Sequence, residues 1–408
     1  MQIAMISYWS CPLTTLGIGT AGGLNVYVLN LAQALGELGH AVDIYTVTHR
    51  EEDRSESALD PNVTVIHIQP DDARSATDAY GNIDHFAGEI EAIARNRTEP
   101  YDVVHAHYYY SGLAGLQLGQ SLQAPLLMTF HTLGTMKKQY VGIEDRRRIE
   151  AESAIIEQVD GIIASTELEA ADIMAWHQVP AEKLYTAHPG VDHHIFRPSD
   201  RSAAREMLGL PNNEKIILFA GRIDPIKGIN LLIDALAELG RTGTSDLRSI
   251  RLLVIGGDPD DEDFGTSGES SNLLQQIGER QLEERVTFLG SQPHSRLAYY
   301  YAAADLVAMP STYETFGFVA LEAMACGACV IASRVGGLQY LIQDGFNGRL
   351  FESQNVEELS AIMAELLVDD AQRERLGRNA AGSSYKYCWS TQVEKVVDVY
   401  RSMAAHVA

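Results

Sequence analysis

The chain has 408 residues, 46% of them hydrophobic, and carries 31 lysines and arginines against 55 aspartates and glutamates, a formal charge of −24. That length exceeds what one core ordinarily fills, so two domains are expected. A field this negative repels nucleic acid and anionic lipid, and an anionic substrate has to be gripped by a local cluster of cations.

In chain order, the opening "MQIAMISYWS" lacks a charged segment leading into a long apolar one, so no signal peptide is read there. No later apolar run approaches membrane-spanning length, and a cytoplasmic chain is expected. Short β-branched runs predict strands at 3–7 (IAMIS), 42–47, 63–68, 102–107, 125–130 and 161–165. A helix is predicted over 24–38, where apolar residues recur every three or four positions and Gly39 supplies the cap. Pro189, Pro198 and Pro211 then interrupt regular structure, which sets domains of 1–195 and 196–385.

The series restarts with strands at 215–221, 250–257, 285–290, 304–310 and 329–333, and residues 386–408 close the chain as an amphipathic helix. Strands alternating with helices predict an α/β architecture, two doubly wound domains with parallel sheets that bind ligand outside the strands' carboxyl ends. The acidic loop 256–271 is read as solvated. Four cysteines (Cys11, Cys326, Cys329, Cys388) are too scattered for a disulfide framework. Cys326 and Cys329 spell C-x-x-C, but in "AMACGACVIA" they read as packing at a helix end and a buried strand, and no metal site is expected.

Four stretches carry candidate chemistry. Gly22 and Gly23 open the first helix, where bare backbone N–H groups approach an anion; they do not form the spaced G-x-G-x-x-G dinucleotide motif. In "FAGRIDPIKGIN", Arg222 and Lys227 flank a turn between a strand and a helix, the arrangement of a diphosphate clamp. In "YETFGFVALEAMACG", Glu314 precedes Thr315, Phe316, Gly317 and Phe318, whose amides face the start of a helix, and Glu322 lies inside an apolar run where a carboxylate needs a partner. Both glutamates suit sugar hydroxyls. Last, "HAHYYYSG" (105–112) and "FHTLGTMKKQY" (130–140) end two strands: His131 is read as a donor-sugar contact, and Lys137, Lys138 and Arg146–Arg148 as an anion site for a phosphorylated acceptor.

Together these pieces, with "GGLNVYV", "HPGVDHHIF" and "VIASRVGGLQYLIQDGFNGRL", resemble the retaining glycosyltransferases of family four, in the family's order and over nearly the whole chain. The resemblance implies a GT-B fold, two facing Rossmann-like domains with an interdomain cleft, and a last helix crossing back to the N-terminal domain. It implies catalytic roles for His131, Glu314, Arg222 and Lys227 and nucleotide-sugar binding by Gly22, Gly23, Arg222, Lys227, Glu314–Phe318 and Glu322. It also implies acceptor binding by Asn25, His107, Lys137, Lys138, Arg147 and Arg148. No tightly bound cofactor is implied; a nucleotide-diphosphate sugar, UDP-glucose foremost, is the co-substrate. Within the family the chain looks like the sucrose-phosphate synthases ("RRRIEAES" is close to their pattern) and the mycothiol-pathway inositol-phosphate glycosyltransferases. The leading expectation is a sucrose-phosphate synthase using UDP-glucose and fructose 6-phosphate. The alternatives are an inositol-phosphate or other polyol transferase, or a non-catalytic nucleotide-sugar-binding module. One departure stands out: segment 69–86 holds only Arg74 as a cation, where the family often places a lysine for acceptor phosphate. Partners are expected to be small molecules, without nucleic acid or stable membrane association, and homo-oligomerisation is left open.

Overall fold

The computed structural model describes residues 1–14, 22–48, 55–70, 79–241, 249–257, 259, 264–266 and 268–407. Arg74 and much of the acidic loop lie outside the described residues. The chain separates into two compact units, one of residues 1–14, 23–190 and 389–407, the other of 191–388.

The first unit runs β1 (Gln2–Ile6), α1 (Gly23–Glu37), β2 (Ala41–Val47), β3 (Glu56–Asp60), β4 (Val63–Ile68), α2 (Ile83–Arg95), β5 (Val103–His107) and α3 (Tyr109–Leu122). It continues through β6 (Leu126–Thr129), α4 (Gly134–Val141), α5 (Arg146–Gln158), β7 (Gly161–Ala164), α6 (Glu167–His177) and β8 (Leu184–Thr186). Its sheet has eight strands in the order β3-β4-β2-β1-β5-β6-β7-β8. All pairs are parallel except the edge pair β3–β4, which is antiparallel. Helices cover both faces, so the central strands are buried on both sides; all five residues of β5 are buried, His105 and His107 among them. That is why these strands read as continuous apolar runs. The polar edge strand ESALD follows no such pattern.

The second unit runs α7 (Arg201–Leu208), β9 (Lys215–Ala220), α8 (Ile229–Arg241), β10 (Ile250–Ile255), α9 (Gly268–Glu279), β11 (Val286–Phe288), α10 (His294–Ala303) and β12 (Leu306–Met309). It ends with α11 (Phe318–Ala325), β13 (Val330–Ser333), α12 (Leu338–Leu341), β14 (Arg349–Phe351), α13 (Val356–Val368) and α14 (Asp370–Ser384). Its all-parallel sheet has the order β11-β10-β9-β12-β13-β14. Beneath it, Asp305 is 3% exposed and accepts from Arg205 Nη2 at 2.8 Å and the Ile216 amide at 2.7 Å. Arg373, itself 1% exposed, lies 3.3 Å from the same carboxylate. One aspartate thus joins α7, β9 and α14.

The last helix, α15 (Trp389–Val407), returns to the first unit and packs on α1 and β5. Its Tyr400 is fully buried and bonds His105, while Trp389 meets the ring of Tyr27 edge-on at 5.7 Å. Among the described residues no helix is long and apolar enough to cross a membrane. Cys326 and Cys329 are buried and unbridged, and burial pushes both thiols up, so neither is a poised thiolate.

In doubly wound sheets ligands bind where the strand order reverses, outside the carboxyl ends. Those switch points lie between β1 and β5 in the first unit and between β9 and β12 in the second.

Candidate active site

At the second unit's switch point, β9 runs out at Ala220 and the chain turns through a short 3-10 helix, Pro225–Lys227. Asp224 caps that turn, accepting from the Ile226 amide at 3.1 Å, and sits 3.4 Å from Arg222 Nη2. Lys227 Nζ donates to Glu314 Oε2 at 2.7 Å, with side chains 25% and 15% exposed. The two residues are 87 positions apart, and the β9–β12 pairing brings them together. Gly228 makes this possible: its φ is +70°, and a Cβ there would overlap the Pro310 carbonyl at the end of β12.

The loop carrying Glu314 is clamped from behind by "VGGL" (335–338). The Gly337 amide donates to the Glu314 carbonyl at 2.9 Å, and Gly336, at φ +43°, lies so close that a Cβ would run into the same carbonyl. Thr315 Oγ1 is 3.3 Å from the Tyr313 hydroxyl, Phe316 is buried against Phe318 and Tyr387, and Gly317 caps α11. Gly336 and Gly337 stand in VIASRVGGLQYL, and nothing in their local spacing gives them this task.

Glu322 lies on the buried face of α11, 4% exposed. It is not unpartnered: His294 Nε2 is 2.6 Å from Oε1, and the Tyr301 hydroxyl donates to Oε2 at 3.0 Å. Both donors belong to α10. Burial works against protonating His294, but the Glu322 carboxylate, helped by Asp192, outweighs it and raises the imidazole above its usual value. Sequence reasoning missed both residues, which no short motif joins to Glu322.

In the first unit three histidines stand in line. Thr129 Oγ1 donates to the Ile163 carbonyl at 3.2 Å, so it accepts from His105 Nε2 at 2.9 Å, and His105 Nδ1 accepts from Tyr400 at 2.7 Å. His105 is a satisfied core histidine. His107 Nδ1 is 3.2 Å from His131 Nε2, while its own Nε2 is buried without a partner. Burial drives all three imidazoles neutral, His105 and His131 to about 3 and His107 well below its usual value. His131 occupies the left-handed region at φ +62°, unusual for a residue with a Cβ, and its ring meets Tyr27 edge-on at 5.0 Å. It is half-buried and held in an unusual pose as a neutral hydrogen-bonding group.

The expected acceptor residues divide. Asn25 is 1% exposed and donates to Ser10 Oγ at 2.8 Å and the Cys11 carbonyl at 2.6 Å, which makes it an anchor for the loop after β1. His107 is fully buried, with Nδ1 against His131 Nε2. Arg148 is 5% exposed, with Nε on Glu152 at 2.6 Å and Nη2 on the Thr132 carbonyl and hydroxyl. The structure thus engages Asn25 and Arg148 with partners inside the fold and buries His107 behind His131. Lys138 is exposed and paired with Glu144 at 2.8 Å, and Lys137 is half-buried on the same helix. Arg147 is exposed, its guanidinium 3.5 Å above the Tyr80 ring. Around it lies an aromatic group that the sequence reading did not single out: Trp9 stacked on Tyr110 at 5.0 Å and Tyr80 edge-on to Tyr110 at 4.9 Å, beside the β1–β5 switch point. Gly23 opens α1 directly after Gly22. Among the described residues no group of three or more His, Cys, Asp or Glu side chains gathers to hold a metal.

Two family profiles cover most of the chain, Glycosyltransferase Family 4 over residues 21–194 and Glycosyl transferases group 1 over 200–383. A D-inositol 3-phosphate glycosyltransferase of Catenulispora acidiphila is 36% identical over 405 residues, 98% of this chain and 96% of the relative. The chain belongs to the family-four glycosyltransferases. Among solved structures, sucrose-phosphate synthase from Thermosynechococcus elongatus superposes with a TM-score of 0.88 at 31% identity, covering 99% of both chains. The Anabaena protein HepE, solved with UDP and glucose, shares the fold at 21% identity and TM-score 0.78, covering 98% of this chain and all of that one. The chain is thus a glycosyltransferase with two Rossmann-like domains of the GT-B type. The curated relatives bear inositol-phosphate names, which favours the alternative over the leading sucrose-phosphate expectation. Sucrose-phosphate synthase enters as a structural neighbour of this glycosyltransferase.

Proposed function

We propose that this glycosyltransferase moves a hexosyl group, with its anomeric configuration kept, from a nucleoside-diphosphate sugar to a small phosphorylated polyol of the inositol-phosphate kind. The observation that carries the donor half is the Lys227–Glu314 pair at the β9–β12 switch point, 2.7 Å apart with Arg222 on the same turn. Lys227 and Arg222 neutralise the diphosphate, and Glu314 accepts from donor-sugar hydroxyls. The departing diphosphate oxygen takes the proton of the acceptor hydroxyl as the new glycosidic bond forms. The protein's work is then positioning and charge stabilisation, and no carboxylate attacks the sugar. His131 contacts the donor sugar, and Glu322 the nucleotide ribose. For the acceptor, the relatives supply the class, and the exposed guanidinium of Arg147 with the nearby Lys137 supplies charge for a phosphate.

A second reading, fructose 6-phosphate as acceptor, is favoured by the 31% identity to sucrose-phosphate synthase over 99% of the chain. A screen separates them. UDP-, ADP- and GDP-linked hexoses are each incubated with inositol 3-phosphate, fructose 6-phosphate and free inositol, and nucleoside diphosphate release is followed. Turnover with inositol 3-phosphate supports the proposal, and turnover with fructose 6-phosphate alone replaces it by the second reading. Nucleotide-sugar binding without turnover on any acceptor points to the non-catalytic module.

A further inference from the structure

We propose that His294 and Tyr301 are positioning residues for the nucleotide: together they lock the Glu322 carboxylate in the one orientation that accepts both ribose hydroxyls. This rests on the reading that Glu322 faces the ribose and adds what holds it there.

Glu322 is the only acidic residue in FVALEAMA, and its neighbours Leu321, Ala323 and Met324 are fully buried. A carboxylate in such surroundings either finds donors or becomes neutral. Here it finds one donor for each oxygen, His294 Nε2 at 2.6 Å on Oε1 and Tyr301 at 3.0 Å on Oε2. Both come from the same face of α10, seven residues or two turns apart, so the carboxylate is held at two points and cannot rotate about its terminal bond. An ionised carboxylate offers about four lone-pair sites, of which these donors use two. That leaves acceptor capacity on each oxygen, and a cis-diol is a ligand with two donors to fill it.

The surroundings fix the donors in turn. Tyr301 is 0% exposed, and Phe196 packs on both rings, 5.0 Å from His294 and 6.1 Å from Tyr301. His294 is the first residue of α10, and its side chain keeps 26% of its surface exposed against 5% for Glu322. A histidine placed only to neutralise a buried charge would satisfy Glu322 from any direction. The division of one donor per oxygen is what a bidentate acceptor requires.

Isothermal titration with UDP, 2′-deoxy-UDP, 3′-deoxy-UDP and inorganic pyrophosphate tests this on the full chain. For the wild type, loss of either ribose hydroxyl should weaken binding by about tenfold or more, the usual worth of a hydrogen bond to a charged group. In His294→Ala that penalty should shrink to about twofold while pyrophosphate binding stays unchanged, because the carboxylate is free to turn but the cations on the β9 turn are untouched. His294→Gln, which returns a donor near the Nε2 position, should restore most of the discrimination. Tyr301→Phe, which removes one hydroxyl from a buried ring, should selectively lower the penalty for one of the two deoxy analogues. Equal deoxy penalties in the wild type and both donor-deleted variants would overturn the inference and leave the nucleotide reading standing. Failure of the wild type to bind UDP, ADP or GDP removes the nucleotide reading and this inference with it.

Discussion

The Lys227–Glu314 pair makes a prediction that runs opposite for its two members. The ammonium is held by a carboxylate 2.7 Å away; a diphosphate has to displace it or share it. Lys227→Met removes a charged donor from the diphosphate, and a hydrogen bond to a charged group is worth about 1.5–3 kcal/mol, so UDP should bind about ten- to 150-fold more weakly. Glu314→Gln removes the competitor instead. Both side chains keep some exposure, 25% and 15%, so solvent screening limits the release to about 1 kcal/mol, roughly a fivefold tightening of UDP at most. The same variant should lose the extra affinity of a UDP-hexose over UDP, because the hydroxyl acceptor is weakened. Titration calorimetry at fixed ionic strength reads all three effects. If Glu314→Gln weakens UDP as much as Lys227→Met does, the pair is a structural strut, and the assignment of Lys227 to the diphosphate fails.

Asp305→Ala leaves the buried Arg205 and Arg373 without their shared counterion; stability should fall by about 3–5 kcal/mol, seen as an earlier urea midpoint at unchanged slope, and a loss under 1 kcal/mol would contradict it. Glu169, 4% exposed, has its carboxyl raised to about 7 from 4.5 by burial, against the opposing Ser165 bonds. A raised folded value means stability present below the unfolded value and lost as pH rises through 7, so Glu169→Gln should gain on the wild type between pH 5 and 8 by up to about 3 kcal/mol. A melting-temperature difference that is flat with pH refutes that. Gly228→Ala forces a Cβ into the Pro310 carbonyl at φ +70° and should cost at least about 1–2 kcal/mol from backbone conformation alone, with UDP affinity falling as Lys227 is displaced. Arg147→Gln should raise acceptor KM several-fold while leaving UDP affinity unchanged; equal shifts in both would remove Arg147 from the acceptor side.

Much of the fold was legible because parallel strands buried on both faces leave an apolar signature that no tertiary contact needs to supply. IILFA in β9 and LVAM in β12 are such runs. The strands that escaped notice are the short or polar ones at or near sheet edges, ESALD, LYT and RLF, which have half the burial to advertise. Of the arginine run, Arg148 turns inward onto Glu152 four residues on, but Arg146 and Glu150 share that spacing and stay exposed, so packing and not spacing separates the inward pair. Arg147, one residue earlier, points outward onto Tyr80.

From the sequence alone came the two α/β halves, the turn bearing Arg222 and Lys227, and a glutamate, Glu322, too costly to bury without a purpose. Those follow from periodicity and from desolvation, which act over a few neighbouring residues. Tertiary structure alone decided which partner each group meets. Lys227 reaches Glu314 across 87 residues, Glu322 is met by two donors from α10, and Tyr400 closes on His105 across 295 residues. Strand order sets those meetings, because a crossover that places β12 beside β9 leaves no mark on the local pattern of either strand.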